Sequence, residues 1–141
     1  MDNSTARPRI VVVIAVIAIL FGLMTLKAGS SVIFIDGADR VAAGHYVPFV
    51  LWFNFLAGFA YITAGVGLYL WQEWAIKLSL LIAGSTLFVF AAFSVHILSG
   101  GDYELRTVTA MCLRSAVWLT IGFFTRNLWK KTSEKLDYRN N

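Results

Sequence analysis

The chain reads as an all-α integral membrane protein, a four-helix bundle with both termini on the cytoplasmic side. Three features carry that reading: the composition, four long apolar runs, and an uneven distribution of Lys and Arg. Of 141 residues, 58% are hydrophobic, 15% aromatic and only 14% charged, and the mean hydropathy is +0.70. An ordinary globular domain carries about 25% charged residues, so a soluble enzyme, a soluble binding module and a disordered regulator are excluded together. The single cysteine, Cys112, excludes a disulfide framework, a Cys-x-x-Cys redox pair and a cysteine-ligated zinc or iron–sulfur site within one chain.

The runs are taken in chain order, as one domain over residues 1–141. Ile10 to Leu26 is uncharged over seventeen residues, close to the roughly 20 that a helix needs to cross hydrocarbon. Arg7 and Arg9 precede it and Lys27 follows it without a small-x-small cleavage site, so it reads as a signal anchor and not as a removable leader. Residues 27–47 form an elaborated outer loop. Within it Ser31 to Ile35 is too short to span and is expected to lie along the interface or over the bundle, while Asp36-Gly37 signals a turn. The second span covers 48–71 and starts at Pro48, whose missing N–H costs nothing in a first helical turn. A tight hairpin, Gln72 to Lys77, leads to the third span over 76–98. The fourth, 107–125, is apolar apart from Arg114.

Lys and Arg set the orientation. With the N-terminus inside, the inner segments hold Arg7, Arg9, Lys77, Arg126, Lys130, Lys131, Lys135 and Arg139, against Lys27, Arg40 and Arg106 outside. The excess basic charge is thus a topology signal, and no nucleic-acid partner is implied. Trp71, Trp74 and Trp129 then fall at the inner boundary and Tyr46, Trp52 and Tyr103 near the outer one, where amphipathic rings prefer to sit. Small residues at helical spacing, such as Gly22, Gly58 and Gly65, are expected at helix contacts.

Chemistry, if there is any, belongs to the outer face. Arg114 lies roughly 10 Å below the outer end of its span, and no carboxylate occurs within any of the four runs. Three roles are open to it: a snorkelling arginine stacked on Trp118, a ligand-binding cation, or a subunit contact. Its counter-group would be a neutral acceptor such as Asn54, Tyr61, Ser85 or Thr86, a loop acid, a lipid phosphate or an anionic ligand. His45 and His96 reach the same face, where they either shape it by hydrogen bonding, exchange protons, or ligate a metal or haem iron, although no metal motif is present. Asn54 is expected to hydrogen-bond between helices. Asp36, Asp39, Asp102 and Glu104, with Lys27, Arg40 and Arg106, are by default solvated loop charges; the alternative gathers Lys27, His45, His96, Asp102, Glu104 and Arg106 into a polar rim above Asn54 and Arg114.

Several segments together resemble the DoxX-like family of small four-span bacterial membrane proteins. They are Gly22-Leu-Met-Thr-Leu-Lys27 closing the first span, Asn54, Gly58 and Gly65 in the second, His96 ending the third, and Gly100-Gly101-Asp-Tyr-Glu104 leading into the fourth. The chain has Asn54 where family members commonly carry an acid, and it lacks their Gly-Pro-Gly ending of the fourth span. The resemblance implies a bacterial inner-membrane location and partnership with a larger membrane redox complex, including quinone-linked systems.

Three functions are therefore weighed: an auxiliary, non-enzymatic subunit with a polar pocket open to the outer face; a quinone-, haem- or anion-binding redox subunit using Arg114 and His96; and a small transporter or channel working as a homodimer. The transporter reading is weakened by the absence of a membrane-embedded carboxylate to couple protons.

Overall fold

The computed structural model describes residues 7–140, without the side chains of Leu136, Arg139 and Asn140. The Arg139 charge counted for the inner side lies outside the described side chains. Five helices succeed one another: α1 (Arg9–Phe34), α2 (Ala38–Ala43), α3 (Pro48–Tyr69), α4 (Glu73–Leu98) and α5 (Leu105–Asn140). No strand occurs among the described residues.

Four of these helices are long and apolar enough to cross a membrane, yet only 28% to 33% of each apolar window is buried inside the protein. Leu20, Leu23, Leu56, Phe59, Leu81, Phe88, Leu113 and Phe123 all point outward. Such continuous apolar belts are costly in water and natural in hydrocarbon, where each helix also satisfies its own backbone polar groups. The chain is a multi-pass membrane protein with an all-helical bundle fold.

Three helices are longer than the sequence reading allows, α4 because it starts at Glu73, so that the hairpin closes at 70–72 and not over Gln72 to Lys77. Lys27 does not close the first span: α1 runs on to Phe34, so Ser31 to Phe34 is its last turn and does not lie along the interface. Nothing in that stretch breaks a helix. Gly29 is buried against Phe55, and the Ser30 and Ser31 hydroxyls donate to the carbonyls of Lys27 (3.0 Å) and Ala28 (3.1 Å). The outer loop of 27–47 thereby shrinks to two short links around α2. At the other extreme α5 has 36 residues and a length of about 54 Å, well beyond the roughly 30 Å hydrocarbon core. It carries the basic C-terminal segment as a continuous helix.

Packing obeys a 3.5-residue repeat. On α1 the buried positions are Val11, Ala15, Ala18, Gly22, Thr25 and Gly29, and on α5 they include Met111, Ser115, Trp118, Gly122 and Thr125. Alternating steps of four and three are the signature of left-handed, nearly parallel helix packing. The α1 seam meets α3 backbone to backbone. A Cβ on Gly22 would stand 2.9 Å from the Gly58 carbonyl oxygen, and one on Gly65 would stand 3.0 Å from that of Ala15. In lipid, where no hydrophobic force drives helices together, this close approach supplies the attraction.

α3 packs in turn on α4 and α4 on α5, but α1 and α5 make no comparable contact. The interior divides into two apolar groups. A large one, with Ala15, Ala18, Tyr61, Leu68, Ala75, Trp118 and Ile121, fills the end bearing the termini, and a small one, Val47, Val50, Phe93 and Met111, lies toward the α2 end.

The α3–α4 hairpin is closed by a helix-terminating motif. Trp71 adopts a left-handed conformation (φ 53°), so that its N–H reaches the Leu68 carbonyl (2.9 Å) and the Gln72 N–H reaches that of Gly67 (2.9 Å). Burial of the indole against Trp129, with ring centroids 5.3 Å apart, offsets the backbone cost. Arg7 stacks over the Tyr69 ring at 4.2 Å and donates to the Tyr69 carbonyl, which places the start of α1 beside this hairpin.

Replacing Gly58 by Leu should force α1 off α3 and cost about 1–3 kcal/mol. By contrast Gly84→Ala, at a helical position with nothing within 4 Å of the added Cβ, should be neutral or stabilise by up to about 1 kcal/mol. Thermal unfolding in a mild detergent, run on both variants beside the parent, measures the contrast.

Candidate functional site

The α2 end of the bundle is held by Arg40. Its guanidinium donates from Nε to the Val32 carbonyl (2.9 Å) and from Nη2 to that of Ile33 (2.7 Å), and it pairs with Asp36 at 3.7 Å. These are among the last carbonyls of α1, which have no partner within the helix, and a cation also complements the negative end of the helix dipole. Arg40 is thus no solvated loop charge. It fastens α2 onto α1, and the Asp36 to Arg40 spacing is the only local signal for that role in the sequence.

Between α1, α2, α3 and the start of α5 lies a cleft of about 550 Å³. Its walls are largely apolar, with Met24, Ala28, Val47, Val50 and Leu51, and its polar lining comprises Lys27, Ser31, Asp39, Asn54, Arg106 and Thr107. Three site residues named from the sequence, Lys27, Asn54 and Arg106, thus come from three different helices to one cleft. Lys27 and Arg106 are exposed, whereas Asn54 is buried. The Asn54 Oδ1 atom has no hydrogen-bond partner, so the interhelical hydrogen bond expected of this residue is not made through its carbonyl oxygen.

A second, smaller hollow of about 280 Å³ adjoins it, sharing Tyr46 and Val47 and lined also by His45, Pro48, His96 and Asp102. The two histidines do meet at one place. His45 Nδ1 lies 3.9 Å from Asp102 Oδ2, and His96 Nε2–H donates to the Asp102 carbonyl at 3.1 Å. The His96 ring packs edge-on against Phe49, with centroids 6.3 Å apart, and over Gly101, where a Cβ would collide with the imidazole. Its environment is that of a hydrogen-bonded, packed side chain. No group of three or more His, Cys, Asp or Glu side chains that could hold a metal ion occurs among the described residues.

Glu104 lines neither hollow but ties the start of α5 to the link before α3. It stands just before α5, and its backbone carbonyl accepts from the Thr107 N–H (2.9 Å). Its carboxylate turns away to accept from the His45 N–H at 2.9 Å. Gly44 makes room for this contact: it has φ 59°, and a Cβ there would overlap the Glu104 carboxylate. Both its backbone conformation and its missing side chain are therefore required.

Arg114 belongs to neither hollow. It lies deeper, about nine residues or roughly 13 Å along α5, and no carboxylate pairs with it among the described residues. The expected stack on Trp118 is not formed, because Trp118 lies against Tyr61, with ring centroids 4.7 Å apart. Successive turns of α5 point the two side chains apart: Trp118 is fully buried and Arg114 only partly so. The polar groups of this end gather in two adjoining hollows, with Glu104 lining neither and Arg114 below them.

No family model, no curated protein and no solved structure matches the chain.

Removing the Glu104 carboxylate by Glu104→Ala should free the link between α2 and α3. Hydrogen exchange of the His45 amide is expected to rise about five- to tenfold, the equivalent of one lost hydrogen bond of about 1 kcal/mol, while Glu104→Gln, which retains an acceptor oxygen, should stay within about twofold of the parent.

Proposed function

We propose that this protein is a non-enzymatic auxiliary subunit of the bacterial inner membrane, which holds a small amphiphile in the α2-end cleft and serves a larger membrane redox complex. The observation that carries the ligand-binding part is the meeting of Lys27, Asn54 and Arg106, from α1, α3 and α5, around a largely apolar cleft. An apolar hollow with a few fixed polar groups is the usual form of a small-molecule site. Here two cations at the mouth suit a head that is anionic or rich in carbonyl oxygen, and the walls suit a hydrocarbon or ring body. A quinone meets that description. The redox association is supported by the DoxX-like resemblance of the segments around Lys27, Asn54, His96 and Glu104.

Entry from lipid fits the helix arrangement, since α1 and α5 are not packed on each other as α1 and α3 are. An amphiphile would then enter sideways, head toward Lys27 and Arg106. Asp39 lines the same cleft and keeps its mouth from being uniformly positive. In this reading both termini face the cytoplasm and the cleft opens on the opposite side, an orientation that the distribution of Lys and Arg supports.

Two experiments test the proposal. Protein purified in mild detergent from its own membrane is expected to carry a near-stoichiometric small amphiphile, seen by mass spectrometry of an organic extract and, for a quinone, by ultraviolet absorbance; Lys27→Ala combined with Arg106→Ala should reduce its occupancy at least tenfold. A parent preparation free of any such molecule sinks the ligand-binding part. For orientation, in a Cys112→Ala background, Asp39→Cys should react with a membrane-impermeant maleimide on intact cells and Lys77→Cys only after permeabilisation, and the reverse pattern would invert the topology.

A further inference from the structure

The charged side chains at the α2 end fall into two sets. Asp36 pairs with Arg40, Asp102 stands beside His45, and Glu104 accepts from the His45 N–H. Lys27, Asp39 and Arg106 take part in no ion pair among the described residues, and all three line the one cleft. A fourth free group belongs to the same lining. Asn54 is only 9% exposed, and its Oδ1 atom has no hydrogen-bond partner.

Asp39 owes its place to its neighbour. Arg40 donates to the Val32 and Ile33 carbonyls, so α2 cannot swing away from α1 without giving up both bonds. The other α2 residues of the lining are Ala42 and Ala43. The carboxylate is thus the one polar side chain that α2 contributes to the cleft.

The balance of donors and acceptors narrows the ligand. Lys27 and Arg106 only donate, the Asp39 carboxylate only accepts, and the Asn54 oxygen adds a second acceptor. A quinone, itself bearing only acceptors, meets the two cations and leaves both acceptors without a donor. A phosphodiester has two free oxygens, one for each cation, and a primary ammonium has three N–H groups, enough for both acceptors.

We propose that the amphiphile of the cleft is a phospholipid whose head joins a phosphate to a primary ammonium, as in an ethanolamine phospholipid, and that Asp39 is the residue that selects it. This inference rests on the amphiphile reading of the cleft and narrows its ligand. The phosphate is held by Lys27 and Arg106, the ammonium donates to Asp39, and the chains follow the apolar wall of Met24, Val50 and Leu51 toward lipid. A choline head carries the same two charges but has no N–H to donate. A glycerol head has the phosphate but no positive charge for Asp39.

The test reads head-group preference and not mere retention. The full chain is placed in nanodiscs made of equal parts ethanolamine, glycerol and choline phospholipids with identical acyl chains, transferred to mild detergent, and the lipid that stays bound is identified by native mass spectrometry. The parent should keep one ethanolamine lipid, preferred about three- to fivefold over each of the others, the range of one exposed ion pair. Asp39→Asn, a same-shape change at an exposed position that should leave the melting temperature unaltered, should still keep one lipid but lose the preference. Lys27→Ala with Arg106→Ala should lower retention of all three lipids about tenfold. A parent that keeps lipid without preference, or an Asp39→Asn variant that prefers the ethanolamine head as the parent does, overturns the selection by Asp39 and leaves the amphiphile reading standing. A parent that keeps no phospholipid overturns this inference too, and the organic extract of the protein from its own membrane then decides the fate of the broader reading.

Discussion

The backbone contact of α1 with α3 sets the arrangement of every other helix in the bundle. Gly22 and Gly58 face each other so closely that neither has room for a Cβ, and Gly65 repeats the arrangement against Ala15. Once α1 is committed to α3 along this seam, it is not equally available to α5. The helices are then neighbours in chain order, α1 to α3 to α4 to α5, and the space at the α2 end between α1, α3 and α5 is left to short or polar groups. The cleft is in this sense a consequence of small residues that begin about a turn from it, at Gly22 and Gly58, and continue to Ala15 and Gly65 two to three turns away. Arg40 fixes its roof independently, by holding α2 against the carbonyl end of α1.

The interior has a corresponding logic. Its two apolar groups are each well packed, one around Tyr61, Leu68 and Trp118 and the other around Val50, Phe93 and Met111. A continuous apolar core would have been simpler to stabilise, because in lipid a partly buried guanidinium lowers the stability of the inserted bundle. Arg114 needs only a Leu in its place to remove that cost. A costly polar group retained beside a readily packed apolar alternative is the usual mark of a functional constraint.

Architecture is legible in this sequence to the extent that it is written in hydropathy. Three uncharged runs and one interrupted by Arg114 mark four spans, and the tight α3–α4 hairpin and the start of α3 at Pro48 are encoded by local signals. What misleads is punctuation. Lys27 looks like a span boundary, yet a lysine with an apolar stem is tolerated inside a helix near the membrane surface, and no proline or turn signal intervenes before Phe34 to stop α1. The placement of Lys27, Asn54 and Arg106 at one end is legible from topology alone, as is that of His45 and His96 on one face, but that the two histidines line the same hollow is not. The roles of Arg40 and Arg114 are not, because both depend on the rotation of one helix about its axis relative to another. In helices apolar on every side the hydrophobic pattern does not encode that rotation.

Small residues do encode it in part. The seam Ala15, Ala18, Gly22, Thr25 and Gly29 repeats every 3.5 residues, and read as a heptad it names the face that α1 gives to α3. On α5 the equivalent positions are Met111, Ser115, Trp118, Gly122 and Thr125, so Arg114 falls one position before the seam at Ser115. A residue beside the seam sits at the edge of the helix contact, neither in the core nor fully in lipid, which is where its partial burial and its unpaired Nε place it. The guanidinium there has the helix seam on one side and lipid on the other, with no acid of its own chain within the four apolar runs to balance it. Heptad phase in small-residue seams is thus a more informative reading of such helices than hydropathy, and it links the glycines that build the bundle to the charge that the bundle must accommodate.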